Sequence, residues 1–142
     1  MKKTVLALIL ISMVQAAFAN EPAKSMLVEP EAFSKLVAQR KYKEAHDTAV
    51  AESKLVAEEL EYVRGNKLVP YDKRYIYLRR PFEYYEVLLA TKEDALAESI
   101  EQEVFRTLPE KSCFDYMLEV SKRAGNSAAA KRLAILKGKC KR

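Results

Sequence analysis

The sequence predicts an all-α protein with five to seven helices, arranged as stacked antiparallel hairpins or as an irregular bundle. Alanine, leucine, glutamate and lysine are abundant, whereas the chain has only three glycines and no tryptophan. These proportions are typical of helical proteins. Apolar residues recur three, four or seven positions apart, and no segment is a credible strand.

The first 19 residues have the three parts of a secretory signal peptide. Two lysines follow the initiator methionine, residues 5–14 are almost entirely apolar, and residues 17–19 (Ala-Phe-Ala) have the small-x-small pattern of a cleavage site. The apolar run is shorter than the roughly 20 residues that span a bilayer, so an N-terminal anchor helix is the less favoured alternative. We expect cleavage after Ala19, which leaves one helical domain, residues 20–142.

This signal predicts the periplasm of a bacterium as the destination, with secretion as the alternative. Removing its two lysines lowers the formal charge from +5 to +3, and the remaining basic residues form no long run. Nucleic acid is therefore not an expected partner. No apolar stretch after residue 19 is long enough to span a membrane.

The first two helices of this domain are predicted from their terminal residues and from one apolar stripe. Pro30 suits the first turn of a helix that reaches about Arg40. A second, long helix is predicted from Tyr42 to Arg64, and Gly65-Asn66 ends it. The apolar positions of the long helix are Tyr42, Ala45, Ala49, Val56, Leu60 and Val63.

A proline interrupts the next helical stretch, residues 73–90. Pro81 would cost about 3 kcal/mol in a regular helix interior, and proline also disfavours the helical conformation in the residue before it. We therefore expect a break or kink near Arg80. Asp72 is the candidate N-cap of this stretch.

The following helix is predicted to run from Thr91 to about Leu108. Thr91 and Asp94 have the spacing of a capping box, with aspartate in place of the usual Glu or Gln. The apolar stripe of this helix consists of Leu96, Ile100, Val104 and Leu108.

The end of the sequence predicts a helical hairpin. Residues 110–124 form its first helix and Gly125 ends that helix, whereas Asn126 or Ser127 can cap a second helix that runs to about Lys137. An antiparallel arrangement of these helices brings both ends of the segment together.

The two cysteines lie at the open end of this hairpin. Its turn falls midway between Cys113 and Cys140, and export to an oxidising compartment favours a bond between them. Such a disulfide would stabilise the domain by about 3–4 kcal/mol in the chain-entropy model. A reactive thiol pair is the alternative, but the chain has no Cys-x-x-Cys motif.

Two segments share a helix–turn–helix pattern with small residues near the turn. In residues 36–49 it comprises a leucine, a turn followed by Tyr-Lys-Glu-Ala, and an alanine one turn later; in residues 117–133 the turn is Ala-Gly-Asn, with alanines beginning the next helix. This pattern resembles the tetratricopeptide repeat. The resemblance implies a concave surface that binds a peptide or a partner protein.

The sequence offers few groups for catalysis. His46 is the only histidine, so neither a zinc site nor a Ser-His-Asp triad is expected, and no glycine-rich phosphate loop is present. We expect no metal, no cofactor and no enzymatic activity. A hydrolase based on two carboxylates is the alternative, but both glutamate clusters lie largely opposite the apolar stripes and are interpreted as solvated faces. The clusters are Glu58, Glu59 and Glu61, and Glu98, Glu101 and Glu103.

Residues 71–85 (YDKRYIYLRRPFEYY) have the most unusual composition, with five tyrosines and three arginines. Tyrosine and arginine dominate binding hot spots because they bury a large area while keeping a polar end. The alternative is that the aromatic residues belong to the core, and an anionic envelope polymer could also use this mixture. The candidate partner-binding residues are Tyr71, Arg74, Tyr77, Arg79, Arg80 and Tyr84.

Together these features predict an exported, non-enzymatic, helical protein-binding module. It would serve as an adaptor or accessory factor of an envelope or secretion system, with another envelope or secreted protein, or a second copy of the chain, as its partner. Two alternatives stay open. One is a periplasmic immunity protein or inhibitor of an envelope-targeted toxin or enzyme, and the other is a periplasmic chaperone.

Overall fold

A computed structural model describes residues 27–141, so the signal peptide predicted for residues 1–19 lies outside the described residues. The described range contains seven α-helices and no strand, which confirms the all-α prediction. The helices are α1 (Pro30–Ala38), α2 (Tyr42–Glu52), α3 (Val56–Gly65), α4 (Arg79–Ala90), α5 (Asp94–Thr107), α6 (Lys111–Arg123) and α7 (Ser127–Gly138). Among these residues, no helix has both the length and the apolar character needed to cross a membrane.

The described residues fall into two units, residues 27–33 and residues 34–141, and the boundary lies within α1. The first unit includes the first turn of α1. There the backbone N–H of Phe33 donates a 2.8 Å hydrogen bond to the carbonyl oxygen of Glu29. The remaining helices, α2 to α7, all belong to the second unit.

Helix α4 is the centre of the second unit. It contacts α2, α5 and α6, and every residue from Tyr84 to Leu89 is buried. A helix that is buried on all sides needs neighbours on all sides. Three further helix pairs complete the packing, α3 against α5, α5 against α7 and α6 against α7.

The long helix predicted for residues 42–64 is two helices, so this prediction is wrong. A 3₁₀ turn, Ser53–Leu55, separates α2 from α3. The hydroxyl of Ser53 donates a 2.8 Å hydrogen bond to the carbonyl oxygen of Val50, and serine that bonds the backbone in this way competes with regular helix. The apolar periodicity continues across the turn, which is why the sequence pattern did not reveal it.

Pro81 lies in the first turn of α4. A 3₁₀ segment, Tyr71–Leu78, precedes this helix, so the predicted interruption near Arg80 is the start of a helix. Proline removes no intrahelical hydrogen bond in a first turn, because the N–H there has no helical partner. The predicted cap at Asp72 is wrong, since Pro70 occupies the N-cap position of the 3₁₀ segment and no side chain caps it.

The capping box predicted at Thr91 and Asp94 is also wrong. Helix α5 begins at Asp94, and the N-cap residue Glu93 makes no side-chain cap bond. The hydroxyl of Thr91 instead donates a 2.7 Å hydrogen bond to the carbonyl oxygen of Val87. Thr91 therefore completes the end of α4 and does not begin α5.

The hairpin of α6 and α7 is confirmed. Gly125 has a φ of 70°, the left-handed conformation that commonly follows a helix. The side-chain oxygen of Asn126 accepts a 2.9 Å hydrogen bond from the backbone N–H of Ala129, which makes Asn126 the N-cap of α7.

The disulfide predicted between Cys113 and Cys140 is wrong. Both cysteines are buried free thiols. The sulfur of Cys140 donates to the carbonyl oxygen of Leu136 at 3.4 Å, whereas that of Cys113 lies 3.9 Å from a carboxylate oxygen of Glu110. The symmetry of the hairpin places both residues near its open end, but the two cysteines are not within disulfide distance of each other.

Candidate protein-interaction surface

Exposed apolar side chains are concentrated between residues 55 and 77. Tyr62, Leu68 and Tyr77 are 75%, 91% and 61% exposed. Single exposed apolar residues are common on protein surfaces, whereas a group of them marks a contact site. We call the group Leu55, Tyr62, Leu68, Tyr71, Ile76 and Tyr77 the apolar surface.

The 3₁₀ segment Tyr71–Leu78 carries half of the apolar surface. Only Arg74 and Leu78 of this segment are buried. The segment packs against α3, α4 and α6. Its two buried side chains attach it to these helices. The other side chains of the segment consequently remain exposed or half-buried.

Tyr62 and Tyr77 line one shallow depression of about 300 Å³. Val63 and the carboxylates of Glu58 and Glu59 complete its lining. Burial raises the pKa of the Glu59 carboxyl, although the guanidinium of Arg80 acts in the opposite direction. The depression is thus lined by aromatic and acidic side chains.

Arg74 attaches the 3₁₀ segment to the rest of the protein. Its guanidinium forms a 2.8 Å ion pair with Glu110 and donates a 3.3 Å hydrogen bond to the carbonyl oxygen of Arg64. The same guanidinium lies 4.4 Å from the ring centre of Tyr71, within the range of a cation–π interaction. Arg74 is therefore a buried anchor and not a surface contact.

The remaining predicted residues lie at the start of α4. Arg79 is exposed, and its guanidinium bonds the hydroxyl of Ser34 at 2.7 Å and the carboxylate of Glu83 at 3.3 Å. Arg80 is half-buried and forms a hydrogen bond with the hydroxyl of Tyr84. Tyr84 is only 3% exposed, and its burial raises the pKa of its hydroxyl. Of the six predicted partner-binding residues, the structure thus exposes Tyr71, Tyr77 and Arg79, half-buries Arg80, and buries Arg74 and Tyr84.

The two most exposed members of the apolar surface, Tyr62 and Leu68, lie outside the segment that the sequence singled out, as does Leu55. Tyr62 falls between Leu60 and Val63 of the apolar stripe, on the side of α3 that carries charged residues. Leu68 lies in residues 67–72, which the sequence predicts to be a connection between helices and not part of an apolar helix face. A large apolar residue off the stripe was the signal that could have identified both.

Glu86 joins three helices from a buried position in α4. Its carboxylate accepts a 2.6 Å hydrogen bond from the hydroxyl of Tyr42 in α2, and it forms a 2.8 Å ion pair with Arg123 in α6. Burial and the bond to Glu86 raise the pKa of Tyr42 to about 12. This contact fixes α2 and α6 against the central helix.

Glu101 has the same kind of environment, which corrects its assignment to a solvated face. It is 1% exposed, and its two oxygens accept hydrogen bonds of 2.8 Å each from the guanidinium of Arg132 in α7. The hydroxyl of Tyr85 in α4 also donates to this carboxylate. Both buried glutamates are saturated with donors from neighbouring helices, so we interpret them as cross-links of the bundle.

His46 lies between two carboxylates. Its Nε2 is 2.5 Å from Glu93 and its Nδ1 is 3.0 Å from Asp47. The hydrogen bonds to Glu93 and Asp47 raise the pKa of His46 above its usual value, and the bond to Glu93 has the larger effect. Within residues 27–141, no group of three or more His, Cys, Asp and Glu side chains could hold a metal ion.

No family model matches this chain, and comparisons with curated proteins and with solved structures found no similar protein. The resemblance of residues 36–49 and 117–133 to the tetratricopeptide repeat therefore stays a prediction.

Proposed function

We propose that this protein is an exported, non-enzymatic protein-binding module, an adaptor or accessory factor of an envelope or secretion system. The observation that carries the proposal is the exposure of Tyr62, Leu68 and Tyr77 close to one another in the chain. Removing apolar area from water is favourable by about 25 cal/mol per Å², and this gain offsets part of the entropic cost of association. Tyrosine suits such a surface because its hydroxyl remains hydrated while its ring is free to pack on a partner.

The attachment of the 3₁₀ segment supports the same proposal. Arg74 holds the segment through a buried ion pair with Glu110 and contacts the ring of Tyr71. A surface that is ordered before binding loses less conformational entropy when the partner arrives. The repeat-like pattern of residues 36–49 and 117–133 agrees with this role, because helical hairpins often present binding surfaces.

Site-specific photo-crosslinking tests the proposal. A photoreactive phenylalanine analogue replaces Tyr77 in one variant and Ile135 in a control variant. Ile135 is 62% exposed, lies in α7 and is outside the apolar surface. We expect position 77 to yield a discrete adduct with another protein in the native cell envelope and position 135 to yield none.

Surface substitutions provide the second arm of this experiment. The Tyr62→Ser/Tyr77→Ser variant should lose the partner in affinity purification, whereas Ile135→Ser should retain it. Equal recovery by both variants, or equal adducts from both positions, would show that the apolar surface is not the binding site.

Export is tested separately by fractionation. The protein should appear in the periplasmic fraction with the mass of residues 20–142, which the pattern of residues 17–19 predicts. Retention of the uncleaved chain in the cytoplasm would contradict this part of the proposal without bearing on the apolar surface.

A further inference from the structure

A groove of about 590 Å³ lies between the last turns of α5 and the segment that follows α7. Phe105 and Pro109 form the apolar part of its lining. The ring of Phe105 stands edge-on to the buried ring of Phe114, with ring centres 6.2 Å apart, so its position is fixed by the core. The volume lies within the range of ordinary ligand-binding clefts, about 300–1,000 Å³.

Among the described residues, three basic side chains and one carboxylate, that of Glu103, line the groove. Arg106 is compensated, because it pairs with Glu103 at 2.7 Å and lies 3.8 Å from Glu61. Lys139 and Lys141 also line the groove, and in the described part of the chain neither forms an ion pair. Two ammonium groups thus flank an apolar floor.

The groove continues toward the apolar surface. A neighbouring cavity of about 370 Å³ shares Pro109 and Lys141 with it and is also lined by Arg64, Tyr71 and Arg74. Apolar and basic side chains line this path from Phe105 to Tyr71, and its two carboxylates are each paired with an arginine, Glu103 with Arg106 and Glu110 with Arg74. An extended peptide can lie along this path.

We propose that this groove binds an acidic segment of the partner protein, with an aromatic or aliphatic side chain on Phe105 and Pro109 and carboxylates beside Lys139 and Lys141. The inference rests on the proposed function, because it names the chemistry of the segment that a protein-binding module would recognise. Complementary charge favours an acidic segment, and the two lysines repel a basic one. The apolar floor favours a segment that also carries at least one apolar side chain.

Fluorescence anisotropy with a defined probe tests the groove directly. The probe is a fluorescein-labelled peptide of alternating glutamate and aspartate with two phenylalanines. One control peptide has serine at the phenylalanine positions, and a second has lysine at the acidic positions. We expect saturable binding of the probe to the purified protein and much weaker binding of both control peptides.

Two variants with the same net charge locate the binding site. Lys139→Glu/Lys141→Glu should weaken binding of the probe by about tenfold or more, because attraction becomes repulsion at the rim. Lys43→Glu/Lys131→Glu changes two exposed lysines of α2 and α7 that do not line the groove. This control variant should bind the probe within about twofold of the unchanged protein, since distant exposed charges are screened by salt.

Several results would overturn the proposal. Equal weakening by the two double variants would show attraction to net charge alone, and tight binding of the serine peptide would show that the apolar floor is not used. Binding of phosphatidylglycerol vesicles without binding of the peptide would assign the lysines to a membrane surface. If the unchanged protein does not bind the probe but position 77 still yields a crosslinked adduct, the groove proposal alone is rejected. If position 77 yields no adduct, the proposed function is rejected.

Discussion

The hydroxyl of Tyr85 donates a 2.6 Å hydrogen bond to the carboxylate of Glu101, and both side chains are buried between α4 and α5. Arg132 binds the same carboxylate from α7. Burial of the phenol and the nearby negative charge raise the pKa of Tyr85, so the hydroxyl stays protonated and remains a donor. The carboxylate of Glu101 thus links α4, α5 and α7 to one another.

Glu101→Ala should lower the free energy of unfolding by about 3–5 kcal/mol, because it leaves the partners of a buried charge unpaired. Tyr85→Phe should cost about 1 kcal/mol, the net value of one hydrogen bond. Glu98→Ala is the matched control, since Glu98 is exposed on the same helix and lies 3.5 Å from Arg132. Urea unfolding measures all three variants, and similar losses for Glu101→Ala and Glu98→Ala would contradict the cross-link.

Arg74 and Arg79 should differ sharply in their effect on stability, although both belong to the tyrosine- and arginine-rich segment. Arg74→Met removes one partner of a buried ion pair with Glu110 and should cost about 3 kcal/mol or more. Arg79→Met removes an exposed pair with Glu83 and should cost less than about 1 kcal/mol. Thermal melts compare the two, and equal shifts would mean that Arg74 is not an anchor.

Local signals in the sequence predicted some of the helix ends, although not the caps of the 3₁₀ segment and of α5. Pro30 at the start of α1, Gly125 after α6 and Asn126 before α7 act within one helical turn, and each was predicted correctly. The 3₁₀ turn at Ser53–Leu55 was not predicted, because the apolar spacing is the same with or without this turn. Periodicity therefore reports which face is buried more reliably than where a helix is interrupted.

The burial of Glu101 could not be predicted from the spacing of its own helix. Its position opposite the apolar stripe indicates solvent, and the donors that satisfy the buried carboxylate, Tyr85 and Arg132, are 16 and 31 residues away in the sequence. The apolar surface was predicted in part for a similar reason. Tyr71 and Tyr77 were identified by composition, whereas the exposure of Tyr62 depends on how α3 packs against α5.

Both cysteines should be measurable as free thiols. Protein that is purified and unfolded without reductant should react with two equivalents of a thiol reagent, and Cys140→Ser should react with one. The folded protein should react slowly at pH 8, because burial raises the pKa of Cys113 to about 12 and leaves little thiolate. Absence of reactive thiols in the unfolded protein would show a disulfide that the structure does not have.

Gly125 should be sensitive to substitution for conformational reasons alone. Its φ of 70° is unfavourable for a residue with a side chain, yet an added Cβ would meet no atom within 4 Å. Gly125→Ala should therefore cost about 1 kcal/mol, and Gly125→Asn should cost less because asparagine tolerates this conformation. Gly138→Ala is the control, since Gly138 has equal space and no positive φ. Equal unfolding midpoints for the two alanine variants would contradict the left-handed turn.

His46 should make stability depend on pH near neutrality. Its hydrogen bonds to Glu93 and Asp47 raise its pKa in the folded protein above the ordinary value of 6.5. The folded state therefore binds the proton more tightly than the unfolded state does. The resulting stabilisation is fully present below about pH 6.5 and is lost as the pH rises through the folded pKa.

The size of this effect is limited because about a third of the His46 side chain is exposed to solvent. We expect it to contribute less than about 1 kcal/mol. An NMR titration of the imidazole should give a pKa above 6.5, and Glu93→Gln should lower that pKa by removing the first cause of the shift. Urea midpoints should fall between pH 6 and pH 8.5 in the unchanged protein and should fall less in His46→Gln. A pKa at or below 6.5 would mean that the two carboxylates do not hold the imidazole ring, and that His46 does not connect α2 to the start of α5.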